Sequence, residues 1–200
     1  MKKFAVVVMM VAVATSAMAG TLAQTAAPID VGALNANAGI VMGLNEDNDS
    51  MAVVGRVTYG AIEDLLVSAE IGYETDAEII PLSLAVQYAL SMLDLPVDLA
   101  VRLDLTMPSL EDAGDMMTLT PALVVSAAIE QVTGLALYAA VGMTMFMGDV
   151  YEDVDPEVVI GGGATYDLPV EGLGVFVELM LWLGDSEMMT LGAGLSYAIM

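Results

Sequence analysis

The sequence predicts an all-β fold: one antiparallel up-and-down transmembrane β-barrel of about ten strands, with eight to twelve as the bounds. Three observations carry this. Hydrophobicity alternates with period two over ten segments, the apolar face of those segments has no charged residue, and the connections alternate between tight turns and longer, acidic loops.

Composition restricts the function classes first. The 200 residues are 58% hydrophobic with a mean hydropathy of +0.76, yet hold 27 Asp and Glu against 4 Lys and Arg, a formal charge of -23. So apolar a chain can offset its ordering entropy, which excludes disorder, and so acidic a surface repels phosphates, which excludes nucleic acid. With no Cys and no His, disulfides, thiolate metal sites, Cys nucleophiles, Ser-His catalysis and His-ligated zinc are all excluded.

Residues 1–19 are expected to be a secretory signal. Lys2 and Lys3 form the basic start, Phe4 to Ala14 the apolar core, and Ala17-Met18-Ala19 an A-x-A cleavage site before Gly20. The apolar core is shorter than the roughly 18 to 20 residues that span a bilayer. Cleavage leaves Arg56 and Arg102 as the basic residues of a single barrel domain, 20–200.

The strands are expected at Gly32 to Leu44, Met51 to Ala61, Leu65 to Glu74, Ile80 to Leu90, Val97 to Met107, Met117 to Ile129, Gly134 to Met147, Val158 to Leu168, Leu173 to Leu183 and Met189 to Ile199. In the third, Leu65, Val67, Ala69, Ile71 and Tyr73 share one face, and Ser68, Glu70, Gly72 and Glu74 the other. Pro121 is unusual in a closed barrel, which has no edge to shelter a missing N–H, and points to a bulge or to a later strand start.

The connections set an orientation. Ile62 to Asp64, Ser91 to Pro96, Glu130 to Thr133 and Pro169 to Gly172 are tight. Those at Asn45 to Ser50, Thr75 to Glu78, Pro108 to Asp115 and Gly148 to Glu157 are mostly longer and acidic, with Gly184 to Glu187 short. In a bacterial outer-membrane barrel the short turns are periplasmic, so both termini are expected in the periplasm.

Charge and Tyr placement choose which face meets lipid. Arg56, Glu70, Glu74, Asp98, Arg102, Asp104, Asp167 and Glu178 all lie opposite the apolar face, among small and polar residues that make a poor soluble exterior. Tyr59, Tyr88, Tyr166 and Tyr197 lie on the apolar face near the short-turn ends of even-numbered strands, as an interfacial girdle requires. A helical alternative rests on the uncharged run Gln131 to Gly148, but that run has large apolar residues on alternate positions and belongs to a pattern whose other arms are too charged for helices in lipid.

The stretch Val57-Thr58-Tyr59-Gly60-Ala61-Ile62-Glu63-Asp64-Leu65-Leu66-Val67 resembles the aromatic-glycine, tight-turn hairpin of the small outer-membrane β-barrel proteins of Gram-negative bacteria, and the likeness extends over residues 20–200. The resemblance implies outer-membrane residence and, as partners, outer-membrane lipid, lipopolysaccharide and the barrel-assembly machinery. Such barrels usually finish with an outward Phe; here Leu195, Tyr197 and Ile199 alternate correctly and the last residue is Met200.

The candidate site is the lumen. Arg56, Glu70, Arg102, Asp104 and Glu178 are expected about six to eight residues above the short turns, roughly 20 Å along the strands, with Asp98 four positions below Arg102. The Glu63-centred turn places Arg56 opposite Glu70, Tyr59 opposite Val67 and Ala61 opposite Leu65. Two readings stand: an ion-pair layer that closes the lumen, or hydrated charges that pair loosely.

No cofactor, metal or catalytic residue is expected. Acid pairs alone could hydrolyse glycosides, but nothing places two of them in a cleft. Gly161-Gly162-Gly163 lacks the Lys and helix of a phosphate loop. The acidic loops 45–50 and 151–157 lack EF-hand spacing; they are either solvated loops or bridge divalent cations to lipopolysaccharide. The expected role is structural or that of a narrow, porin-like path for ions or small solutes, because about ten strands enclose an interior little wider than the smallest barrels. The alternative is a secreted soluble β-barrel binding an apolar ligand.

Overall fold

The computed structural model describes residues 24–45, 50–75, 79–93, 95–107, 117–148, 154–184 and 187–199. The leader and most of the acidic loop residues lie outside the described residues. Ten strands follow one another: β1 (Leu34–Gly43), β2 (Met51–Ile62), β3 (Leu65–Glu74), β4 (Leu82–Ala89), β5 (Asp98–Met107), β6 (Met117–Ala128), β7 (Leu135–Met147), β8 (Glu157–Asp167), β9 (Leu173–Leu183) and β10 (Met189–Ile199). Each pairs antiparallel with its sequence neighbours, and β10 closes on β1. Closure satisfies the ladder all the way round, which a sheet in hydrocarbon requires.

The alternation of the sequence becomes an inside and an outside. Along β3, Val67, Ala69, Ile71 and Tyr73 are exposed while Leu66, Ser68, Glu70, Gly72 and Glu74 are buried. The exposed face continues through Val53, Val57, Leu84, Val86, Val101, Leu103, Leu123, Val141, Ile160, Val177, Leu179 and Leu195. Tyr59, Tyr88, Tyr166 and Tyr197 are on this outer face, and register places Tyr59 and Tyr197 beside Leu34 and Ala36 of the strand between them.

The tight turns use few residues. Between β2 and β3 the chain reverses through Glu63 and Asp64, the latter at φ 64. Here the structure corrects the expected pairing of Ala61 with Leu65: Ile62 pairs with Leu65, the register shifts between Gly60 and Ile62, and Ala61 is the extra residue. A bulge next to a left-handed residue lets a two-residue turn match the strand twist. Below the bulge the pairs Tyr59–Val67 and Arg56–Glu70 are in register. Between β4 and β5 a short 3-10 turn, Ser91–Leu93, is tied to the neighbouring turn by the Ser91 hydroxyl donating to Asp64 at 2.7 Å.

Pro121 is neither a strand start nor a register shift. It stands within β6, paired with Leu103 of β5, and the β6–β7 register is the same on either side of it, at Leu119–Met145 and Ala122–Gly142. The Thr120 and Thr144 hydroxyls, 3.0 Å apart, link β6 to β7 at this point.

The interior is fuller than the small and polar residues of the inward face suggest. Val41, Ala52, Val54, Val159, Phe176, Met180, Trp182 and Met188 form one buried apolar cluster, most of it in the half nearer the long loops. Glycines make room for it. A Cβ at Gly39 or Gly194 would run into Phe176, and one at Gly161 would run into Met180.

Candidate functional site

The lumen at mid-height is built by the β2–β3 hairpin and by β5. The hairpin register sets Arg56 across from Glu70, and the Arg56 Nε and Nη2 donate to Glu70 Oε2 at 2.9 and 2.5 Å. On β5, Arg102 and Asp104 are two residues apart and therefore on one face; Nε donates to both carboxylate oxygens at 3.0 and 2.8 Å, and Nη2 to Oδ1 at 2.6 Å. All four side chains are buried. An ion pair this far from water is held only if its remaining donors find partners, because a guanidinium has five N–H groups and one carboxylate does not use them all.

The remaining partner comes from the N-terminal segment. Gln24 lies inside the barrel at 7% exposure, and its Oε1 accepts from Arg102 Nη1 at 2.6 Å, Ser68 Oγ at 3.2 Å and Arg56 Nη1 at 3.4 Å. One amide oxygen thus joins the two ion pairs. The next residues are also bound to the wall: Gln87 Nε2 donates to the Thr25 carbonyl at 2.8 Å, and the Ala26 N–H donates to Ser126 Oγ at 3.0 Å. Ala26 is fully buried against Ala100, Val124 and Ala140.

Of the other residues singled out from sequence, Glu178 is inward but on the far wall, where it accepts from the Tyr138 hydroxyl at 2.7 Å. That bond crosses a strand. Tyr138 of β7 pairs with Gly163 of β8, which pairs with Glu178 of β9, and a Cβ on Gly163 would collide with the Tyr138 ring. Asp98 is not in this layer. It is the first residue of β5 and exposed, four positions or about 13 Å below Arg102 along the strand. It borders a cavity of about 210 Å³ at the short-turn rim, lined also by Ala26, Pro28, Ser91 and Leu95.

Sequence reasoning missed Gln24, Ser68, Gln87, Ser126 and Tyr138. Tyr138 had a visible signal, since it is the one strand tyrosine of inward parity. Gln24 had only an indirect one, the surplus of guanidinium donors over nearby acceptors. Above the layer, Asp104, Thr120, Thr144, Met180 and Trp182 line a cavity of about 20 Å³, room for about one water.

Neither a protein-family model nor a curated protein sequence matches the chain. Solved structures do. The KdgM porin in complex with disordered oligogalacturonate aligns at a TM-score of 0.54 and 9% identity, over 84% of this chain and 99% of that one. The translocator domain of the autotransporter NalP from Neisseria meningitidis aligns at 0.50 and 11%, over 82% and 86%. The chain has the fold of the bacterial outer-membrane β-barrels. Among the described residues no helix is long and apolar enough to cross a membrane, so the helical alternative for residues 131–148 is replaced by β7 and the turn before it.

Proposed function

We propose that the protein is an integral outer-membrane β-barrel with short turns and both termini periplasmic, serving a structural or narrow-pore role without catalysis. One observation carries this reading: away from the strand ends all ten strands present an exposed face without charge, while Arg56, Glu70, Arg102, Asp104 and Glu178 are buried inside, and the exposed strand acids Asp98 and Asp167 stand at strand ends on the short-turn rim. Large apolar side chains facing outward all round the barrel would aggregate in water but are at home in a bilayer. A soluble carrier of an apolar ligand requires the opposite arrangement, with the charge outside and the apolar surface within.

The filled interior supports a path for small ions rather than bulk solutes. The Arg56–Glu70 and Arg102–Asp104 pairs, the apolar cluster around Trp182 and the segment at Gln24 together occupy the lumen, with a cavity of about 20 Å³ beside Asp104 above the layer and one of about 210 Å³ at the short-turn mouth below it. KdgM is a porin, and this chain shares its fold; the pairs in the lumen favour a far narrower passage here. Outer-membrane lipid, lipopolysaccharide and the barrel-assembly machinery are the partners that this placement implies.

Two measurements test the reading. Refolded protein should need detergent or lipid to stay monodisperse, and a protein that stays so in plain buffer contradicts membrane residence. In planar bilayers, single-channel conductance should be far below that of an open porin, and a large steady conductance contradicts the narrow lumen.

A further inference from the structure

We infer that the short-turn half of the lumen is a binding site for an uncharged peptide segment, filled here by the chain's own residues 24–28, which bend at Ala26–Ala27, and that undocking of this segment widens the path through the barrel. The inference rests on the membrane reading above. Five consecutive strands supply the site: Arg56 from β2, Ser68 from β3, Gln87 from β4, Arg102 from β5 and Ser126 from β6. They bind a side-chain amide, a backbone carbonyl and a backbone N–H in turn, which is recognition of a peptide rather than filling of space.

The chemistry of the site selects its occupant. Each Arg already has a carboxylate partner, so the layer is neutral as a pair of pairs, and a neutral amide oxygen completes it without adding an unbalanced charge. The size limit is as strict. Ala26 is fully buried between β5, β6 and β7 against Ala100, Val124 and Ala140, so a side chain as large as Trp there would have to displace the segment toward the mouth.

The segment is also separable from the wall. Its link to the barrel is a turn at Asp30–Ala33, held at the short-turn rim by the Gly32 N–H to the Gly60 carbonyl at 2.8 Å and the Gly60 N–H to the Ala33 carbonyl at 3.1 Å. Beyond that hinge, residues 24–28 contribute no rung to the ladder, so they can leave while every strand pair persists. Beside Ala26 and Pro28 the cavity of about 210 Å³ leaves the mouth incompletely filled. With the segment gone, that mouth would extend to the Arg layer, and Asp104, which pairs with Arg102, also lines the cavity above.

The test is conductance of the mature barrel in planar bilayers. Ala26→Trp, too large to dock, and Gln24→Leu, which removes the acceptor, should each raise conductance at least tenfold over the parent. A synthetic peptide of residues 20–30, added on the short-turn side, should block the Ala26→Trp barrel, and the same peptide carrying Gln24→Leu should not. Because the chain has no cysteine, Gln24→Leu/Ala26→Cys/Ser126→Cys provides a lock: conducting when reduced and silent when oxidised. Variants that insert and fold but conduct like the parent, or a peptide without effect, overturn this inference alone. A chain that never enters a bilayer overturns the membrane reading and this inference with it.

Discussion

Arg56 is held inside the barrel because Glu70 lies directly across the hairpin and Gln24 takes a further donor. Removing one member of such a pair leaves the other uncompensated, so Arg56→Ala should cost about 3–5 kcal/mol of folding stability. Adding Glu70→Ala should recover part of that loss, since the stranded carboxylate goes with it. Urea unfolding of the refolded barrel in lipid, run as a double-mutant cycle, measures this, and zero coupling would mean that the charges are only loosely paired in water. Tyr138→Phe should cost about 1–3 kcal/mol, as a phenol donor to a buried carboxylate is lost. The Arg56–Glu70 pairing was legible in the sequence because a hairpin with a short turn fixes register for the whole strand pair. Gln24 was not, because Gln24-Thr25-Ala26-Ala27-Pro28 has no periodicity and only the closed barrel brings it beside side chains up to 100 positions away.

At the scale of the strand, period two was the dominant signal, and it placed every strand within about two residues of its observed ends because a closed barrel with an apolar outer face permits no change of parity along a strand. Ala61-Ile62 escaped it: two adjacent apolar residues fit either parity, so the bulge has no hydrophobic signature. What the inward residues touch was equally hidden, and this changes the expectation for substitutions. Val101→Arg and Leu179→Arg, mid-strand and on the outer face, should each cost about 2–4 kcal/mol of barrel stability in a bilayer. Their inward neighbours Ala100 and Met180 are not the mild sites that parity alone implies, because Ala100 packs against Ala26 and Met180 against Trp182. Within β8 the triple glycine separates the two faces more cleanly. Gly163→Ala sets a methyl group against the Val177 carbonyl oxygen and the Tyr138 phenol and should cost about 1–3 kcal/mol, whereas outward Gly162→Ala meets at nearest the Tyr138 carbonyl oxygen at 3.3 Å and should cost clearly less. Equal costs at the two positions would contradict the assignment of faces in β8.

For the whole molecule, the unequal rims carry the proposed orientation. An even number of strands brings both ends of the barrel to one rim, and that rim also has the tight turns at Glu63–Asp64, Ser91–Leu93, 130–134 and 168–172. The opposite rim has the longer connections, and 44–50, 108–116 and 148–156 alone contain half of the acidic residues outside the strands. Inserting a barrel from the periplasm favours short turns on the entry side, while long polar loops are tolerated where they end in water beyond the outer leaflet. An epitope inserted after Gly148 should therefore bind antibody on intact cells. The same epitope inserted in the turn between Pro169 and Gly172 should stay inaccessible until the outer membrane is permeabilised. The reverse pattern would invert the barrel and place residues 24–28, with the mouth beside them, on the cell surface; they would then meet extracellular rather than periplasmic peptides, and the peptide of residues 20–30 would have to block from the outside.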